Sequence, residues 1–186
     1  MDWPDGATQG QPVSPGALPP FPRIWVGYLL GVATFITEIV TAVLHPELLK
    51  EPFSIPPIYL FLAQFICLVY WMVFAYEFHL VLKQATSGGY TISPLRAAWF
   101  HLIPIFSLYW VFKWPRELAR FVNGRLPAPL MHPDRTGLAV FIAFVVFLFL
   151  DRGFGMILLF WAASRLSGCL RFALQAPSAP PGLPFS

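Results

Sequence analysis

The sequence predicts an all-α membrane protein: a polytopic bundle of four to five apolar helices with one kinked interfacial or re-entrant segment. Hydrophobic residues make up 57% of the 186 residues and charged residues only 11%, whereas a soluble domain carries roughly 25% charged residues. Several apolar runs reach the length of about 20 residues that a helix needs to cross ~30 Å of hydrocarbon. The 19 Phe and 7 Trp residues are typical of chains that place rings in the bilayer and at its headgroups.

Proline and glycine residues divide the chain into a helical membrane domain and two tails. The domain is 23–174, and the Pro-rich tails 1–22 and 175–186 are expected to be disordered. The helices predicted within the domain are 24–44, 58–82, 95–112, 137–150 and 156–173. The last two come from one apolar stretch that is too long for a single span and is interrupted by Asp151, Arg152 and two glycines. A further short helix is expected over 114–124.

The segment 95–112 allows two topologies, because His101 and Pro104 interrupt an otherwise apolar run. It could cross the membrane with a kink, or it could enter and return on one side or lie in the interface. A crossing would divide the 12 Lys and Arg residues 4 against 8 between the two sides, whereas a segment that does not cross divides them 10 against 2. The second division agrees better with the excess of positive charge on the cytoplasmic side of membrane proteins. We therefore predict four crossings, with both termini cytoplasmic.

The stretch 92–123, ISPLRAAWFHLIPIFSLYWVFKWPRELARFVN, has the most distinctive pattern of the chain. It resembles a group of bacterial multi-helix membrane proteins that are classed under domains of unknown function. The residues that match their pattern are Ser93, Pro94, Ala97, Pro104, Tyr109, Trp110, Glu117, Leu118 and Asn123. Leu95 and Ser107 depart from it, since the pattern has Gly and Asn at these positions. The resemblance implies a bacterial inner (cytoplasmic) membrane and a similar helix count, and it implies no activity.

A stripe of polar and small residues on the first helix is the candidate intramembrane site. Its members recur at intervals of three and four residues, which keeps them on one helix face: Gly27, Gly31, Thr34, Glu38, Thr41 and His45. Lipid offers no hydrogen-bond partner to Glu or Thr, so this face should point into the bundle. Glu38 and Gln64 each lie 13 residues from the middle of the connector between the first two helices, and we predict a hydrogen bond between them. Glu38 is either a proton or cation site or a buried carboxylate that fixes helix packing.

Two further groups of charged residues are candidate sites. Glu77, His79 and Arg96 are expected near the cytoplasmic end of the second helix. They would form either a titratable interfacial cluster, since imidazole titrates near neutral pH, or a set of charges that anchors the helix ends. Asp151 and Arg152 are expected to form a solvated pair in an outer turn.

Small residues predict where helices approach each other closely. Gly27 and Gly31 form a Gly-x-x-x-Gly pair on the first helix, and Ser164, Ser167 and Gly168 give the last helix a small face. Both faces are expected to be helix-packing surfaces.

The sequence favours a protein without catalytic chemistry. It contains no hydrolase, metalloprotease or nucleotide-binding motif, and its histidines and cysteines lack ligand spacing, so we expect no enzyme, no metal and no cofactor. The basic cluster 113–135 lies between apolar segments, which favours a cytoplasmic loop over a nucleic-acid surface.

Two functions remain, both with the lipid bilayer as surroundings. One is an accessory or assembly subunit that docks a protein partner or a second copy. The other is a small proton-coupled transporter or channel that uses Glu38 at the midplane.

Overall fold

The computed structural model describes residues 20–49, 55–85 and 92–175, and these residues are helical without any strand. The α-helices are α1 (Ile24–Leu44), α2 (Ile58–Ala85), α3 (Pro94–Trp99), α4 (Phe106–Arg125), α5 (Pro133–Phe149) and α6 (Arg152–Gln175). Three of them, α1, α2 and α6, are long and apolar enough to cross a membrane. The predicted all-α fold is confirmed for this part of the chain. The two predicted tails lie almost entirely outside the described residues.

The helix bounds differ from the sequence prediction mainly in the segment 95–112. α1 has the predicted bounds, α2 continues for three more residues, and α5 and α6 each begin four residues earlier than predicted. The predicted helix 95–112 is wrong, because the chain forms α3 and α4 with a non-helical turn at 100–105 between them. The predicted short helix 114–124 is part of α4, which continues through Pro115.

A buried face explains why α4 continues through a proline. The residues on this face are Trp110, Val111, Trp114, Leu118 and Val122, which are all buried. Proline cannot donate the backbone hydrogen bond of a helix interior. The apolar area that these five side chains bury outweighs that loss, so Pro115 is accommodated inside one helix.

α1 and α6 run antiparallel and approach each other through glycines on both helices. Gly27 lies against the ring of Phe160, and a Cβ atom on Gly31 would be 3.0 Å from Cγ1 of Ile157. On the opposite helix, Gly153 lies against the backbone of Phe35. Gly27 and Gly31 therefore lie in a helix contact, and the helix that they meet is α6.

Only one member of the small face near the end of α6 packs against the described residues. Ser167 is buried, whereas Ser164 and Gly168 are exposed, and a Cβ atom on Gly168 would meet nothing within 4 Å. Among the described residues, Ser164 and Gly168 therefore do not pack against another helix as predicted. The reason is the length of α1, which begins at Ile24, level with Ala163, and so leaves the rest of α6 uncovered on that side.

α3 and α4 form a helical hairpin along α2. The ring of His101, in the turn of the hairpin, lies edge-on to Trp71 in the middle of α2, with centroids 5.8 Å apart. At the other end of the hairpin, Nη2 of Arg125 donates to the carbonyl oxygen of Ala85, the last residue of α2, at 3.2 Å. The hairpin therefore turns beside the middle of α2 and returns to its C-terminal end.

Several residues of the 92–123 pattern hold the ends of this hairpin. Ser93 Oγ accepts a hydrogen bond from the backbone of Arg96 at 3.2 Å, which caps α3, and Pro94 is the first helical residue. Beyond α4, the amide of Asn123 bonds the backbone of the following loop. Its Oδ1 accepts from the N–H groups of Leu130 and Met131, and its Nδ2 donates to the Met131 carbonyl oxygen.

The other pattern residues lie in the turn or in the helices. Ala97 and Trp110 are buried, and Tyr109 is exposed. The carbonyl oxygen of Pro104 accepts a hydrogen bond from the backbone of Phe106 at 2.6 Å. Ile105, between them, has a φ of +65°, which is strained for a β-branched residue.

Gly153→Ala should destabilise the protein, because its Cβ would overlap the backbone of Phe35, which cannot move aside as a flexible side chain can. Overpacking of this kind costs about 1–3 kcal/mol of unfolding free energy. The matched control is Gly168→Ala, whose Cβ meets nothing within 4 Å and whose helix propensity should improve stability slightly. Unfolding of both variants in detergent measures the difference. Equal stabilities would contradict the close approach of α1 and α6.

Candidate functional site

Glu38 lies on α1 where α2 and the start of α6 meet it. Nε2 of Gln64 donates to Oε1 of Glu38 at 3.0 Å, and the backbone N–H of Gly153 donates to Oε2 at 2.9 Å. The hydrogen bond from Gln64 is the one that the position of the connector predicts. Both carboxylate oxygens of Glu38 therefore have partners, and these belong to two other helices.

The turn between α5 and α6 brings two more charged residues to this site. Arg152 donates to Oε1 of Gln64, and Asp151 lies close enough to Glu38 for their carboxyl groups to interact. We call Glu38, Gln64, Asp151 and Arg152 the Glu38 cluster. Asp151 and Arg152 lie at the turn between α5 and α6 as predicted, and Arg152 is exposed. They do not form the predicted pair, because Arg152 donates to Gln64 and Oδ1 of Asp151 accepts from the N–H of Phe154.

Asp151 is a second carboxylate that the sequence reasoning missed. Its Oδ1 accepts a hydrogen bond from the backbone N–H of Phe154 at 2.6 Å, at the first turn of α6. No spacing rule connects residue 38 with residue 151, because α1 and α6 are more than a hundred positions apart in the sequence. The Gly-x-x-x-Gly pair on α1 predicts a close helix contact, but it does not identify the other helix.

The Glu38 cluster lies between the middle of α1 and its C-terminal end. Glu38 precedes Leu44 by six residues and follows Ile24 by 14, which corresponds to roughly 9 and 21 Å along the helix axis. The turn between α5 and α6 lies at the level of Glu38, and the pair α1–α2 extends beyond it. Phe149 and Leu150 in that turn are exposed.

Thr34 and Thr41 connect α1 with α2 on either side of Glu38. Both are buried. Oγ1 of Thr34 lies 3.0 Å from Sγ of Cys67, and Oγ1 of Thr41 donates to the Thr37 carbonyl oxygen at 2.7 Å. Thr41 also lies 3.4 Å from the hydroxyl of Tyr59. The polar stripe on α1 thus faces the bundle, and its threonines join neighbouring helices without contacting the carboxylate.

The predicted interfacial cluster of Glu77, His79 and Arg96 is wrong in its central member. His79 is fully buried, with its ring 5.8 Å from that of Trp110 and 5.4 Å from that of Trp114. α4 covers this face of α2, which encloses the imidazole in the aromatic core of the protein. Glu77 is partly buried and Arg96 is exposed, so neither accompanies His79 into the core.

The buried aromatic core contains polar nitrogens as well as rings. His79 and His101 each bond a backbone carbonyl of the preceding helical turn through Nδ1, at 2.7 and 2.9 Å. Nε2 of His101 and the indole nitrogens of Trp71 and Trp110 are buried without a hydrogen-bond partner. Within the described ranges, no three His, Cys, Asp or Glu side chains are grouped as a metal would need.

These features define a class, an all-helical bundle with three helices suited to crossing a membrane and a mixed-charge cluster between α1, α2 and α6. No family model, no curated protein and no solved structure matches the chain.

Glu38→Ala should lower the unfolding free energy by about 1–3 kcal/mol, because it leaves the Gly153 N–H and the Gln64 amide without an acceptor. The control is Glu47→Ala, in an exposed pair with His45. Hydrogen bonds from its own backbone amide and from His45 lower the pKa of Glu47, but such exposed pairs contribute little to stability. Melting temperatures in detergent should fall for the first variant and stay unchanged for the second. A Glu38→Ala protein as stable as the parent would exclude the structural role.

Proposed function

We propose that this chain is an integral membrane protein that crosses the membrane four times, through α1, α2, α5 and α6. In this proposal the α3–α4 hairpin enters the membrane and returns to the side that it came from. Two contacts support it: the hairpin turns beside Trp71, in the middle of α2, and ends beside Ala85, at the end of α2.

The distribution of basic residues supports the same topology. With four crossings, ten of the 12 Lys and Arg residues lie on one side, and only Lys50 and Arg152 lie on the other. The positive-inside rule makes the first side cytoplasmic, together with both termini. α5 has 17 residues and is about 25 Å long, which is shorter than the hydrocarbon layer of a typical bilayer. Its crossing therefore requires a bilayer that is thinner near the Glu38 cluster, or water that enters the protein surface there.

Thiol labelling tests whether the hairpin is re-entrant. In a variant with Cys67 and Cys169 replaced by Ala, single cysteines are introduced at Gln84 and at Ala128, which flank the hairpin and are exposed. A membrane-impermeant maleimide should reach both positions from the cytoplasmic side. A cysteine at Glu47 is the control and should react only from the other side. Labelling of positions 84 and 128 from opposite sides would mean that 95–112 crosses.

We propose that the protein is a non-catalytic accessory or assembly subunit of a complex in a bacterial inner membrane. The observation that carries this proposal is that both carboxylate oxygens of Glu38 are engaged by Gln64 and Gly153. The intramembrane carboxylate thus holds three helices together. Trp99, Ile105 and Tyr109 are exposed on the hairpin and offer an aromatic and aliphatic surface to a partner or a second copy. The bacterial membrane rests on the resemblance of 92–123 alone.

Purification of the tagged protein from its own membrane in mild detergent, followed by mass spectrometry of the intact assembly, tests the accessory role. We expect a larger complex with other subunits in fixed stoichiometry. The Glu38→Gln variant should retain that complex, because Gln still offers an oxygen to the Gly153 N–H. A bare monomer in every mild detergent would contradict an accessory role.

A proton-coupled transporter or channel is the second candidate, and the presence of Asp151 beside Glu38 favours it. In that case Glu38 and Asp151 would bind and release a proton, and Gln at position 38 would abolish coupling. Proton uptake by proteoliposomes that is lost in Glu38→Gln, while Glu47→Gln retains it, would support this candidate and contradict the accessory role.

A further inference from the structure

Three arginines lie where the N-terminal end of α1 meets the second half of α6. The guanidinium of Arg171 lies over the ring of Phe21, 4.4 Å from its centroid, and that of Arg165 lies over Trp161 at 5.7 Å. Arg165 is also close enough to Tyr28 of α1 for its charge to act on the phenol. Arg23 immediately precedes α1. We call Arg23, Arg165 and Arg171 the arginine face.

The arginine face has exposed positive charge that forms no ion pair with a described carboxylate. All three arginines are exposed, and the ion pairs in the described part of the chain join other residues. Glu77 is an acidic side chain whose charge, like that of Arg23, acts on the phenol of Tyr70. One carboxylate against three guanidinium groups leaves this region with a net positive charge, which attracts anions.

In the proposed topology, the arginine face lies at the level of the lipid headgroups. Arg165 is close to the level at which α1 begins, because Gly27 lies beside Phe160, and Arg171 lies about 9 Å further along the helix axis. Trp161 and Phe172 on the same side of α6 are 51% and 59% exposed. Exposed aromatic rings next to arginines are typical of the membrane–water interface.

The space between the two arginines of α6 is open. Gly168 lies between them along α6 and is exposed like Ser164, and a Cβ atom in its place would meet none of the described residues within 4 Å. A second copy of the chain fits poorly here, because a symmetric contact would bring the like charges of Arg165 and Arg171 of both copies together, and like charges at close range repel. The positive charge therefore favours an anionic occupant.

We propose that the arginine face binds the phosphate of an anionic phospholipid in the cytoplasmic leaflet. Arg165 and Arg171 donate hydrogen bonds to the phosphate oxygens, and Arg23 adds a third positive charge. The acyl chains lie along the open surface at Ser164 and Gly168, beside Trp161. This site goes beyond the accessory role, and it rests on the proposed topology for the leaflet that it faces.

Native mass spectrometry in a zwitterionic detergent tests the lipid site without depending on the topology or on the complex. The purified protein is titrated with phosphatidylglycerol or with phosphatidylcholine of the same acyl chains. We expect phosphatidylglycerol to be retained at least tenfold better. The double substitution Arg165→Gln with Arg171→Gln should remove at least one retained phosphatidylglycerol per chain.

The control for this experiment is the double substitution Arg120→Gln with Arg135→Gln, on exposed residues of α4 and α5. It removes the same charge from the same side of the bundle and should leave the retained lipid unchanged.

Equal losses of retained phosphatidylglycerol in the two double variants would mean that net charge alone attracts the lipid. Equal retention of phosphatidylglycerol and phosphatidylcholine would exclude the site. A variant that retains its lipid but loses a protein subunit from the native complex would assign the face to that subunit. Melting curves without added lipid show that both variants are folded.

Discussion

The arrangement of α1, α2 and α6 depends on the carboxylate of Glu38. The first N–H groups of any helix have no hydrogen-bond acceptor within that helix, and lipid hydrocarbon offers none. Glu38 accepts the hydrogen bond of one such group, that of Gly153, while the side chain and carbonyl of Asp151 accept those of Phe154 and Gly155. The first turn of α6 is therefore satisfied by protein groups, which allows it to begin below the end of the α1–α2 pair.

The glycines of α1 and α6 make this hydrogen bond possible. Gly31 and Gly153 remove the side chains that would separate the two helix backbones, so the short side chain of Glu38 reaches the amide of Gly153. A charged residue in a membrane helix is costly unless it has such partners. The hydrogen bond to the Glu38 carboxylate therefore requires the close approach of α1 and α6. A substitution at Gly31 or Gly153 should disturb both the packing and the hydrogen bond.

The sequence alone predicted the features that depend on segments adjacent along the chain. Apolar run lengths predicted the bounds of α1, and a short connector predicted the hydrogen bond between Glu38 and Gln64. The features that it missed depend on distant segments. The proximity of Asp151 to Glu38 follows from the pairing of α1 with α6, and the burial of His79 follows from the packing of α4 on α2. Residue spacing carries no information about which distant helices pair.

In the proposed topology, the turn of the α3–α4 hairpin reverses the chain direction beside the middle of a membrane-spanning helix. Non-helical backbone is tolerated at such depth only where its polar groups are satisfied. Nδ1 of His101 bonds the carbonyl oxygen of Ala97 at the end of α3, and the N–H of Ser107 bonds that of Ile103 across the turn. Pro104 has no N–H to satisfy. The exposed side chains of the turn, Leu102, Ile103 and Ile105, are apolar, so its outer surface is suited to lipid.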